Sequence, residues 1–80
     1  MKTKPKNIVG ARVRKARAKC RPPLTQQELS DRVVRLGARI DRAGIAKVEV
    51  GLRRVYDHEL TLLAKATGVS VTWLLTGRRS

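Results

Sequence analysis

The chain has almost no aromatic side chains. Phenylalanine is absent, and Trp73 and Tyr56 stand alone among 80 residues. The interior must therefore be aliphatic, and the paired aromatics on which unstacked bases rest are missing. Acids are scarce as well, 6 against 19 Lys and Arg, and the formal charge of +13 directs the surface toward polyanions. Cys20 is the only cysteine, which excludes an intrachain disulfide, and with His58 remote from it no zinc-ligand spacing can be assembled. His58 has no acidic or nucleophilic partner at a useful spacing and reads as a surface residue. No carboxylate pair, nucleophile with base, or glycine-rich phosphate loop is present, so neither an enzyme nor a cofactor or metal is expected. No apolar run nears the roughly 18 residues that span a bilayer, and no apolar leader opens the chain. These absences lead to the expectation of a cytoplasmic, nucleoid-associated protein that does not contact a membrane.

What is present suffices for one modest core, since 41% of the residues are hydrophobic, and a chain of this size holds one domain. Nine of the nineteen cations lie between Lys2 and Arg21. Residues 1–7 place Lys2, Lys4 and Lys6 around Pro5 with no apolar period, which predicts a flexible basic arm able to lie along a groove. The folded domain is expected over 8–77, with 78–80 as a tail. Between Ile8 and about Cys20, Val9, Val13 and Ala16 recur at helical spacing, while Arg12, Arg14, Lys15, Arg17 and Lys19 cover the other faces. Such a helix could lie on a membrane surface, but its thin apolar stripe favours core packing. Pro22 and Pro23 end it.

The second helix has a fuller start signal. Thr25 can cap it, Glu28 can close a capping box, and Leu24 can staple onto Leu29. Leu29, Val33 and Leu36 form its stripe, and Gly37 stops it. Gln26 occupies the first helical position, where backbone N–H groups and the helix dipole favour phosphate. Asp41 repeats the cap, with Ile40 and Ile45 as staple, and a third helix follows through Val50 to Gly51. On it Ile45 and Val48 point one way, whereas Ala43, Ala46, Lys47 and Val50 point the other, with Arg42 in the exposed first turn. That outward side is small and cationic. Arg42 or Lys47 could donate to guanine, and Ala43 and Ala46 could pack on thymine methyls, with Gly44 costing about 1 kcal/mol of helix propensity. Arg53 and Arg54 come next, placed to clamp a sugar-phosphate backbone. Asp57 is expected to cap a fourth helix carrying Leu60, Leu63 and Ala64 inward and ending at Gly68. Ser70 or Thr72 opens a fifth helix, closed by Gly77. There Val71, Leu74 and Leu75 share a face, and Trp73 either folds onto the core edge or anchors a two-fold partner.

Four segments in this order, Ile8-Val9-Gly10-Ala11-Arg12-Val13-Arg14, Leu24-Thr25-Gln26-Gln27-Glu28-Leu29, Ile45-Ala46-Lys47-Val48-Glu49-Val50-Gly51 and Leu63-Ala64-Lys65-Ala66-Thr67-Gly68-Val69-Ser70, resemble the lambda-repressor-like helix-turn-helix family, also called the xenobiotic-response-element class. The resemblance implies an all-α, compact five-helix bundle that binds double-stranded DNA as a homodimer and regulates transcription. By position it implies base contacts from Arg42, Ala43, Ala46 and Lys47, and a backbone contact from Gln26. Arg39, Arg53, Arg54, Lys4 and Lys6 are the further candidates for backbone contact. The stretch from Leu29 to Ile45 exceeds the family's usual turn by more than one helical turn, so either the second helix is longer or the loop is wider, bringing Arg35 or Arg39 near phosphate. Val50 stands where the family commonly has a polar or cationic residue. With no room for an effector domain, regulation would come by occlusion, possible protein partners or protein level. An RNA- or ribosome-associated structural protein, and an antitoxin-like regulator whose main task is to bind a partner protein, are the alternatives.

Overall fold

The computed structural model describes residues 4–78, with residues 1–3 and 79–80 outside it. Five helices follow one another: α1 (Gly10–Lys19), α2 (Gln26–Arg35), α3 (Arg42–Glu49), α4 (Asp57–Thr67) and α5 (Val71–Thr76), with no strand among the described residues. The expected all-α bundle is therefore what the chain forms.

Each boundary has a local cause. The Thr25 hydroxyl accepts from the Glu28 N–H at 3.0 Å, and the Glu28 carboxylate accepts from the Thr25 N–H at 2.9 Å, the reciprocal box that fixes the start of α2. The Asp41 carboxylate accepts from the Gly44 N–H at 2.7 Å and starts α3, and the Ser70 hydroxyl accepts from the Trp73 N–H at 3.0 Å and starts α5. Gly68 and Gly77 close α4 and α5 in the left-handed region, at φ +75° each, where only glycine lacks a penalty. At α4 the expectation shifts by one residue: Tyr56 is the cap and Asp57 the first helical position, because Glu59 reaches back to accept from the Tyr56 N–H at 3.1 Å.

The core gathers Val9, Val13 and Ala16 from α1 and its N-cap, Leu24, Leu29 and Val33 around α2, Ile45 and Val48 from α3, Leu63, Ala64 and Ala66 from α4, and Leu74 from α5. Two expected members are missing from it. Leu36 and Leu75 are exposed; Ala38 and Ile40, in the connection between α2 and α3, are buried instead of Leu36. The connection is a loop from Leu36 to Asp41, with α2 ending at Arg35. It turns at Gly37, with φ +111°, and the Ala38 N–H donates back to the Val33 carbonyl at 2.9 Å. Inside the loop the buried Ser30 hydroxyl donates to the Ile40 carbonyl at 2.7 Å, satisfying a polar group that would otherwise be orphaned.

Two arginines, Arg12, which the spacing places away from the core, and Arg32, tie helices together by their C-terminal ends. Arg12 donates to the Leu74 carbonyl at 3.3 Å and Arg32 to the Ala66 carbonyl at 3.0 Å, which is where helix dipoles favour cations. The basic segment before α1 is also anchored at its inner end. The Lys6 N–H donates to the Gly51 carbonyl at 2.8 Å. Asn7 donates to the Val48 and Arg53 carbonyls at 3.1 and 2.7 Å and accepts from the Val9 and Gly10 N–H groups. Of the arm expected over 1–7, residues 1–3, with Lys2, lie outside the described residues, and Lys6 and Asn7 are hydrogen-bonded to the folded domain.

Candidate nucleic-acid interface

The outward side of α3 follows from what its inward side buries. Ile45 and Val48 are fully enclosed, so helical geometry turns Arg42, Ala43, Ala46 and Lys47 away from the core. Arg42, Ala43 and Lys47 are exposed and Ala46 is half-buried. Val50 continues the same side at 67% exposure. Gly44 belongs elsewhere: a methyl group there would sit 2.9 Å from Ile40 Cγ2 and 3.1 Å from the Asp41 carboxylate. Its small size makes room for the loop that caps α3, so the helix-propensity cost has a packing cause.

Glu49 organises the site and was missed in the sequence reading. Its side chain is 3% exposed and accepts from Arg17 Nε at 2.7 Å, Arg17 Nη2 at 3.0 Å and Gln26 Nε2 at 3.1 Å, while Arg17 Nη1 donates to the Leu24 carbonyl at 2.8 Å. One carboxylate thereby joins α1, the start of α2 and the end of α3, fixing how α3 is presented. The Glu49 hydrogen bonds hold the Arg17 guanidinium above its already high ordinary pKa. The available signal was spacing: Glu49 follows Ile45 and Val48 at i+4 and i+1, on the apolar side of the helix.

A second buried carboxylate engages Arg53. Glu59 accepts from both Arg53 Nη atoms at 2.9 Å, and Arg53 Nη1 also donates to the Arg54 carbonyl at 2.8 Å. Arg53 therefore braces the segment between α3 and α4 rather than projecting from it, whereas Arg54 is exposed. The Arg53 hydrogen bonds, followed by the Tyr56 N–H and the charge of Arg53, hold the Glu59 carboxyl below the usual carboxylate range against the opposing effect of burial. A carboxyl lowered by folding contributes stability above its unfolded value near 4.3, and this is lost as pH falls through the lowered folded value. Stability measured by urea unfolding is expected to decline below about pH 4.3, and an Arg53→Met variant is expected to decline less steeply there. Equal slopes would contradict the assignment.

All six carboxylates accept a hydrogen bond within the chain: Glu28, Asp31, Asp41, Glu49, Asp57 and Glu59. Each is thus used in a cap, an ion pair or a local side-chain contact, and none stands among the outward residues of α3. Among the described residues only Arg17 and Arg53 are ion-paired cations.

The other candidates fall in three places. Arg39 lines a surface cleft with Asp41, Gly44 and Arg53, so the loop, α3 and the following segment do meet. Lys4 and Lys6 are exposed beside the end of α3, with Pro5 close against Gly51. Gln26 lies at the start of α2, half-buried, its side-chain amide given to Glu49. Trp73 stands apart on α5, half-buried and packed against the core, with Lys19 Nζ 5.9 Å from its ring centroid. No helix among the described residues is long and apolar enough to cross a membrane.

No protein-family profile and no curated protein matches the chain. Among solved structures, the P22 c2 repressor protein in complex with synthetic operator 9T, in the presence of Tl+, is similar with a TM-score of 0.73 and 25% identity, over 90% of this chain and 98% of that one. This likeness extends over nearly the whole of both chains and supports the resemblance to the lambda-repressor-like helix-turn-helix family, whose fold the chain shares.

Proposed function

We propose that the chain is a sequence-specific, double-stranded DNA-binding transcriptional regulator that acts as a repressor by inserting α3 into the major groove. The observation that carries this reading is the outward side of α3, cationic and small, in a fold similar to a repressor solved on operator DNA. Arg42 and Lys47 donate to guanine O6 and N7, and Ala43 and Ala46 approach thymine methyls. The first-turn N–H groups of α2 at Gln26, with Arg39, Arg54, Lys4 and Lys6, contact phosphate and set the register. Arg53 serves by holding Arg54 in place. Two copies bind a two-fold operator, with α5 as their contact, where the exposed Leu75 and the accessible part of the half-buried Trp73 offer apolar surface. The site of action is the cytoplasmic nucleoid.

Selection of bound fragments from random duplex DNA tests the proposal. A two-fold symmetric motif with half-sites about 34 Å apart supports it, and the absence of any enriched motif contradicts it. On the selected duplex, Lys47→Ala is expected to weaken binding by about 1 to 3 kcal/mol relative to random DNA, whereas Arg54→Ala weakens both alike. Titration of each variant against both duplexes separates the roles, and equal losses from Lys47→Ala on the two would refute a base contact.

A further inference from the structure

The side of α3 that faces outward has a restricted chemical vocabulary. At about 100° per residue, Arg42 and Lys47 lie at the two edges of a sector roughly 140° wide, and Ala46, Val50 and Ala43 fill its middle. From Arg42 to Val50 there is no Asn, Gln, Ser or Thr, so α3 carries no amide for the N6 and N7 edge of adenine. Its one carboxylate, Glu49, is buried and held by Arg17 and Gln26, so it offers nothing to the amino group of cytosine. What remains is donation to guanine or to thymine O4 from the two edges and apolar contact from the centre. Each cation has an alanine one turn away on the same side, Arg42 with Ala46 and Lys47 with Ala43.

A thymine and a cytosine differ in the major groove at O4 against the N4 amino group and by the C5-methyl group. The centre of the outward face, Ala43, Ala46 and Val50, has partners for the methyl group alone. We propose that this face reads C5-methyl groups beside guanine, and that it therefore accepts 5-methylcytosine in place of thymine, making binding sensitive to cytosine methylation of the target. The inference rests on the DNA-binding reading above, and it draws on the two cations and the absent amide as well as on the small side chains. A 5-methylcytosine·guanine pair adds guanine acceptors for Arg42 or Lys47 while retaining the methyl group.

The test changes the DNA first and one exposed side chain second. In the duplex obtained by selection, each thymine of a half-site is replaced in turn by uracil, by cytosine paired with guanine, and by 5-methylcytosine paired with guanine, and affinity is measured. Uracil and cytosine are expected to weaken binding about fourfold at each contacted position, the factor for burying one methyl-sized group at about 0.8 kcal/mol. The 5-methylcytosine duplex is expected to regain the loss. Val50 is exposed, so Val50→Asn leaves the core intact, and it should abolish the uracil penalty at the position it touches. Uracil binding as tightly as thymine, or 5-methylcytosine binding as weakly as cytosine, overturns the proposal and leaves sequence-specific DNA binding standing. Failure to select any sequence overturns both.

Discussion

Replacing Glu49 with alanine is expected to cost about 3 kcal/mol of stability, the lower end of the range for removing one partner of a buried ion pair. In a domain of this size that lowers the midpoint of thermal unfolding by roughly 12 to 24 °C. The cost arises because the change strands several groups together. Arg17, with 17% of its side chain exposed, would keep only the Leu24 carbonyl, and the Gln26 amide would lose its acceptor. Glu49→Gln preserves shape and one acceptor oxygen, so its loss is expected to be smaller. Thermal and urea unfolding of both variants measures this, and a cost below about 1 kcal/mol for the alanine change would mean that Glu49 does not join the three helices.

A second large effect is expected at Gly10. Alanine is the better helix former by about 1 kcal/mol, yet Gly10→Ala should destabilise the domain by about 2 kcal/mol, as overpacking of a tight contact does. The added methyl group would collide with the Val48 carbonyl oxygen and stand 3.0 Å from the Glu49 carbonyl and 3.2 Å from Asn7 Oδ1. Two of those neighbours are backbone, so relief requires moving the end of α3 away from α1. Urea unfolding gives the sign directly, and a stabilised variant would show that the close approach of α1 and α3 is not rigid.

Much of the architecture was legible because it is written in local chemistry. Thr25 with Glu28, Asp41, Gly37 and Gly68 announce helix ends through hydrogen bonds or backbone freedom that depend on neighbours a few residues away. The sides of α3 were equally readable, since Ile45 and Val48 fix the direction of Arg42, Ala43, Ala46 and Lys47. What escaped the reading depends on partners distant in sequence. Glu49 and Arg17 are 32 residues apart, and the Asn7 amide reaches a carbonyl 46 residues away. Arg53 read as a surface cation because nothing local reveals that Glu59 is buried behind it. Leu36 followed its helical period outward into solvent once the chain turned at Gly37, and Ile40 filled the core in its place. Gly44 read as a cost in helix propensity with no local cause, whereas the Ile40 side chain and the Asp41 cap occupy the space beside it.

The central claim is that the outward side of α3 meets the bases while the start of α2 and Arg54 meet the backbone. Amide chemical-shift mapping of the chain titrated with its selected duplex tests this most directly. The account predicts the largest changes from Arg42 to Val50, with a second group at Gln26, Gln27 and Arg54. Changes concentrated on α1 and α5, with Arg42, Ala43, Ala46 and Lys47 unmoved, would contradict it.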